Sequence, residues 1–404
     1  MELAIKRPDR IVPEYSLTGD LLSYERCALQ YRYYNGSALP PSRPVQMWYG
    51  EFIHGVLESA FRLWSQSDGS LVFPWPSTPI PSNGPPQAPP PGLPAHDLSV
   101  IGWPIEQALM QQGKRARSRR ARISAYRRAE AAVNLLGPHL FPLIADAEQK
   151  VIGTRRIPLT AGGGQIRSER YALHGVIDVL TNVELNNAPA GNIIRDAVRE
   201  VCADLEGTFE VIVDYKGSHR PPILNPDGSA NPLWDLGEWQ VQTYAWLRQR
   251  QQVSYPVAAG ILIYVNELAP NDGDIRRLRT EFAANRTDVM PRRGDADYYA
   301  LQAWTPGTVP ILTEAFLFKR AIRVVAINEV SVNRATEAFD DIVGQIEARV
   351  LQESVNGSIR ATWLPSSTEE ETCVACDFRF FCPSPLARRA ASNTDATDDD
   401  DDGV

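Results

Sequence analysis

Four cysteines at the two ends of the chain constrain its fold more than any other feature. Cys27 stands alone near the start, and Cys373, Cys376 and Cys382 follow near the end as C-x2-C-x5-C. Thiolates so placed hold a soft metal or a cluster, or form disulfides. Five cysteines in 404 residues, with reducing surroundings, argue against a disulfide framework and for metal or cluster binding. Any such centre draws the N-terminal and C-terminal segments together. The fifth cysteine, Cys202, reads as a plain buried residue.

A hydrophobic content of 43% and a charged content of 22% suit a globular chain of one to three domains with a sizeable core. No apolar run is long enough to span a bilayer, and MELAIKRPDRIVPEYS lacks the apolar core of a secretion signal. The expectation is a cytoplasmic protein with no membrane partner. The net charge of −8 argues against a nucleic-acid partner only until its distribution is read. Asp395 and Asp398 to Asp402 supply six acidic groups, and without them 43 acidic residues face 41 basic ones. That tail reads as a solvated, disordered appendage.

Residues 16–35 predict a capped helix carrying Cys27, and 45–66 a second, with Ile53, Val56, Leu57, Ala60, Leu63 and Trp64 on one face. The proline-rich stretch 73–94 predicts a loop or linker. A basic helix is expected over 105–136, then strands at about 148–160, 169–182 and 208–217. A helix over 237–252, a strand over 257–265 and helix over 313–350 complete the reading. Strands and helices mixed in this order predict an α/β fold with a mixed central sheet flanked by helices. The parts are 1–66, N-terminal helices; 67–147, a proline-rich and basic insertion; and 148–270, the core. A helical region (271–372), a cysteine segment (373–386) and an acidic tail (387–404) follow.

The chemistry concentrates in FEVIVDYKG, residues 209–217. Alternate strand residues share a face, so Asp214 and Lys216 point one way and Phe209, Val211 and Val213 the other. A carboxylate and a lysine at the end of an apolar strand are costly to bury unless paired or metal-bound. Phosphodiester hydrolysis uses such a pair: the carboxylate holds a divalent metal, while the lysine positions water or stabilises charge. D-x-K alone is more often a surface salt bridge near a strand end. Asp178, ending a strand-like run after Gly175, adds a second carboxylate of the kind Mg²⁺ takes. His54 lies beside the apolar stripe of its helix, with Glu51 and Glu58 at helical spacing. Gln240 and Tyr244 share a helix face and could bind phosphates or orient the site.

The ordered set His54, Gly175-x2-Asp178, Asp214-x-Lys216 and Gln240-x3-Tyr244 resembles the PD-(D/E)XK nuclease superfamily. It is most similar to the RecB-like branch. With Cys27 before the core and C-x2-C-x5-C after it, the chain resembles the iron–sulfur nucleases of the AddB and CRISPR-associated adaptation type. The resemblance implies a restriction-endonuclease-like core and a metal-dependent DNA nuclease acting on single strands or ends. It implies Mg²⁺ or Mn²⁺ on His54, Asp178 and Asp214, and Lys216 as catalytic lysine. Gln240 and Tyr244 would face DNA. It also implies a structural 4Fe–4S cluster on Cys27, Cys373, Cys376 and Cys382, which would fasten the nuclease domain.

Alternatives remain: Zn²⁺ on the four cysteines, or a non-catalytic DNA-binding or assembly subunit with the same fold. The chain lacks a G-x4-G-K-S/T phosphate loop, so unwinding would require a helicase or nuclease-complex partner. Lys114 to Arg128 place eight basic residues among 15 and read either as a phosphate-tracking surface or as a solvated helix face.

Overall fold

A computed structural model describes residues 12–36, 44–79, 91–157, 168–181, 185, 188–203, 205–367, 370–374 and 376–394. Six strands make one sheet: β1 (Glu14–Ser16), β2 (Ile144–Arg156), β3 (Arg170–Thr181), β4 (Glu210–Lys216), β5 (Val257–Tyr264) and β6 (Ile322–Ala326). Their order is β1-β3-β4-β5-β6, with β2 also paired to β3. β1 runs parallel to β3 and β4 to β5, while β2–β3, β3–β4 and β5–β6 are antiparallel. Helices cover both faces of this mixed sheet, the expected α/β architecture.

β4 and β5 are central strands buried on both faces, which explains their nearly continuous apolar sequences. Their alternation feeds two cores. Ile212, Leu262 and Tyr264 join Val241 and Tyr244 on one side. Val211, Val213, Tyr215, Ile261 and Ile263 join Phe52, Ile53 and Val56 on the other. Asp214 and Lys216 therefore share Ile212's face, beneath helix Pro232–Arg248. Asn231 caps that helix by accepting from Leu233 N, and Pro232 occupies its first turn, where no N–H is needed. The helix lies close on the sheet: a Cβ at Gly175 would come within 2.7 Å of the Tyr244 ring. Gly175 is thus required for the approach that seats Tyr244 on β3.

Several expectations need correction. The helix predicted over 16–35 is interrupted: Leu22–Arg26 and Ala28–Gly36 are separate, and Cys27 lies between them with extended backbone (φ −167°, ψ 113°). The single helix predicted over 105–136 is two, Leu98–Gln111 and Arg119–Ala131, divided near Gly113 with its φ of +79°. The helix predicted over 313–350 is broken by β6, whose β-branched run pairs with β5. A new helix, Glu329–Asn356, starts from an Asn328–Ser331 capping box. Residues 387–394, expected to be disordered, belong to helix Pro385–Thr394, where Ala387 and Ala390 pack on Cys373. The acidic run from Asp395 to Asp402 lies outside the described residues, as does 80–90 of the proline-rich stretch. No described helix is long and apolar enough to cross a membrane.

Candidate active site

β3 and β4 bring Asp178 and Asp214 side by side, and the backbone joins them: Tyr215 N donates to Asp178 Oδ2 at 2.7 Å. Helix Pro44–Gln66 carries His54 to the same place. Its Nδ1 lies 3.5 Å from Asp178 Oδ1 and its Nε2 3.1 Å from the Tyr215 carbonyl oxygen. A neutral imidazole carries one N–H and so serves only one of these two oxygens. Burial raises the Asp178 carboxyl well above the ordinary carboxylate range; His54 and the Tyr215 N–H act against this, and Asp214 and Glu148 add to it. A carboxyl so raised is one that a cation would stabilise as carboxylate.

A third ligand-bearing residue stands here that the sequence did not single out. Potential ligand atoms of His54, Glu148 and Asp178 all lie within 4.8 Å of one another. Ala147 pairs with Val179 and Gln149 with Ile177, which sets Glu148 opposite Asp178. In sequence, Glu148 belongs to the charged run DAEQK, which reads as a solvent-facing edge. Its signal is conformational, a φ of +57° inside a strand, and no local pattern announces it.

Asp214, expected as a ligand beside His54 and Asp178, lies outside that group. Its carboxylate is turned to Lys216 and Gln240. Lys216 Nζ is 2.7 Å from Asp214 Oδ2 and donates to Gln240 Oε1 at 2.5 Å, while Gln240 Nε2 donates to Asp214 Oδ1 at 2.8 Å. The Lys216–Asp214 contact is ionic rather than directed, since no donor addresses Asp214 Oδ2 with hydrogen-bond geometry. Each of the three side chains thereby touches the other two. Gln240 and Tyr244 are 6% and 2% exposed. Gln240 bridges Lys216 and Asp214. Tyr244 sits deep beneath the carboxylates, its phenol pushed well up by burial and then by the charges of Asp214 and Asp178.

The basic segment divides in two. Lys114 pairs with Glu51, Arg122 with Glu106, and Arg128 with Asp274. Arg115, Arg117, Arg119, Arg120 and Arg127 are exposed and make no ion pair among the described residues. Glu51 precedes His54 by three residues on one helix, so the Lys114 contact ties this segment beside the site.

Cys27, Cys373, Cys376 and Cys382 all line one small cavity, with Tyr33 and Phe378 among its walls. Burial raises the Cys382 thiol, the Ser384 N–H opposes this, and Cys27 and Cys376 add to it. Among the described residues, no three cysteine sulfurs lie within 4.8 Å of one another. Cys202 is remote from this cavity and half-buried against the core.

No family model and no curated protein matches this chain. Among solved structures, that of SSO0001 is similar at 13% identity, covering 71% of this chain and 74% of that one, with a TM-score of 0.24. A likeness of that strength assigns neither family nor activity.

Proposed function

We propose that this protein is a metal-dependent DNA nuclease of the PD-(D/E)XK type that hydrolyses phosphodiester bonds, with single strands or DNA ends as substrate. One observation carries the reading. A lysine is held between a buried carboxylate and a buried glutamine, and on the adjoining strand a second, half-buried carboxylate stands beside a histidine. A structural salt bridge would need no glutamine bonded to both partners and no histidine at its side.

The donor set suits a divalent cation of the Mg²⁺ or Mn²⁺ kind, and the imidazole of His54 favours Mn²⁺ of the two. When bound, such an ion polarises phosphate oxygens and makes a water nucleophilic near neutral pH. The chain's own residues do the rest. His54 and Asp178 offer a nitrogen and a carboxylate for the ion. Lys216 presents an ammonium to the scissile phosphate, where negative charge grows as the water–phosphorus bond forms and the ester bond breaks. Asp214 and Gln240 hold that ammonium in place. The five exposed arginines from Arg115 to Arg127 offer the phosphate backbone a track beside the site.

The four cysteines around one cavity fit an iron–sulfur cluster, which would add a covalent clasp between the chain ends. Four thiolates also accept a single tetrahedral Zn²⁺, and the iron and zinc content of the purified protein distinguishes the two. The deciding experiment is cleavage of end-labelled single- and double-stranded DNA with Mg²⁺ or Mn²⁺, beside Asp214→Ala protein prepared identically. Metal-dependent products lost in the variant support the reading. Equal products from both, or none from wild type with its cluster intact, count against it and favour contamination or a binding subunit.

A further inference from the structure

We infer that Glu148 is a ligand of the divalent cation, completing with His54 and Asp178 a three-residue seat. This rests on the proposed metal-dependent reading of the site. The three side chains come from three different elements: helix Pro44–Gln66, β2 and β3. They nevertheless bring one nitrogen and two carboxylate oxygens within 4.8 Å of one another. That is the span over which one cation reaches all three at ordinary metal–ligand distances, about 2.0–2.2 Å with modest side-chain adjustment. Two carboxylates directly opposite each other on antiparallel strands repel, and nothing in strand pairing favours placing them so.

The backbone makes the placement specific. Glu148 has a φ of +57°, a left-handed conformation that non-glycine residues seldom adopt and that strand pairing does not require. The flanking pairs Ala147–Val179 and Gln149–Ile177 keep register on either side of Glu148, although the strand also shifts register nearer its start, between Ile144 and Asp146. Glycine would meet the conformation without steric cost, yet a carboxylate stands there. Charged or titratable groups face it from four elements: His54, Glu58 and Arg62 on helix Pro44–Gln66, Asp178 on β3, Tyr215 on β4 and Tyr244 on helix Pro232–Arg248. Arg62 is paired with Glu58 and largely exposed, so His54 is the cationic group that faces both Glu148 and Asp178 from close by.

The test is the uptake of Mn²⁺ by the full-length protein, followed through the electron paramagnetic resonance of free Mn²⁺, with no DNA present. Wild type, Glu148→Gln and Glu148→Gly are compared, with thermal unfolding of each metal-free protein. The expected result is a loss of at least about 10-fold in Mn²⁺ affinity in both variants. Glu148→Gly should melt at or above the wild-type temperature, because it relaxes the left-handed residue, so its lost affinity could not come from lost folding. Wild-type affinity in folded Glu148→Gln would overturn the assignment while leaving the nuclease reading intact. No Mn²⁺ uptake by wild type would overturn both.

Discussion

Arg32 and Glu353 meet as a buried, two-pronged ion pair. Arg32 Nε and Nη2 donate to the two carboxylate oxygens at 2.7 and 2.6 Å, and both side chains are 1% exposed. Trp363 Nε1 also donates to Glu353 Oε2, at 2.5 Å. The pair joins the helix that follows Cys27 to the end of helix Glu329–Asn356. Tyr34 and Asp377, hydrogen-bonded at 3.1 Å, repeat the connection nearer the cysteines. The helix after Cys27 is therefore fastened to the C-terminal helical region by protein groups of its own.

Glu353→Ala should destabilise the fold by about 3–5 kcal/mol, because it leaves a guanidinium buried without its counter-charge. Arg32→Leu combined with Glu353→Leu should recover much of that loss, since no charge then remains to be desolvated. Urea unfolding of the three proteins measures both effects. A single variant within about 1 kcal/mol of wild type would show that the pair contributes little.

Lys216→Met should reduce cleavage of end-labelled single-stranded DNA by at least about 100-fold, since it removes the charge aimed at the reacting phosphate. Gln240→Ala should fall between this variant and wild type, because Lys216 keeps its contact with Asp214. Melting temperatures measured alongside separate chemistry from folding. Undiminished cleavage by Lys216→Met would remove the lysine from the mechanism.

What the sequence disclosed and what it withheld divide along physical lines. The shared face of Asp214 and Lys216 follows from strand alternation, and Val211 and Val213 do occupy the opposite core. Gly175 stood out in the spacing Gly175-x2-Asp178, but nothing local marked it as the seat of Tyr244. β6 was hidden because its apolar run follows a helix with no intervening glycine or proline, so the two merge into one pattern. Glu148 was hidden for a different reason: its role depends on a backbone angle and on a partner thirty positions away. The basic segment shows the same limit. Local sequence cannot say that Lys114, Arg122 and Arg128 are neutralised by Glu51, Glu106 and Asp274, leaving the other five exposed.

Glu281 offers a pH-dependent prediction independent of catalysis. It is 3% exposed, and Glu267 already holds the Arg320 guanidinium that it approaches at 3.9 Å. Burial pushes its carboxyl from 4.5 up to about 7; Arg320 opposes this and Glu267 adds to it. A folded-state value raised above the unfolded one gives stability that is complete below pH 4.5 and lost as pH rises through about 7. Glu281→Gln should thus stabilise the protein at pH 8, by up to about 3 kcal/mol, and give no gain at pH 4. Urea midpoints at the two pH values test it, and an equal effect at both would refute the shift.

Protein purified without oxygen should be brown and carry about four iron atoms per chain if the thiols hold the proposed cluster. Cys382→Ser should lose the colour and most of the iron while the Arg32–Glu353 contact keeps the fold soluble. Zinc in place of iron, with no colour, would replace the cluster with a single-ion site and leave the nuclease reading standing.

The arginine track makes a prediction about binding rather than cleavage chemistry. Arg115, Arg117, Arg119 and Arg120 lie in and just after the turn that Lys114 fastens to Glu51, three residues before His54. Each phosphate neutralised releases condensed counterions, so the salt dependence of affinity counts the contacts. Replacing all four by Gln should weaken binding to a long single strand and flatten the slope of log affinity against log salt by up to about 3. Fluorescence anisotropy in Ca²⁺, which takes the same oxygen ligands, measures binding over a salt series. Cleavage of an oligonucleotide too short to leave the active site should be nearly unchanged, because Lys216 and its partners are untouched. An unchanged slope would mean that these arginines are only a solvated surface, and equal losses on short and long strands would place their effect at the active site itself.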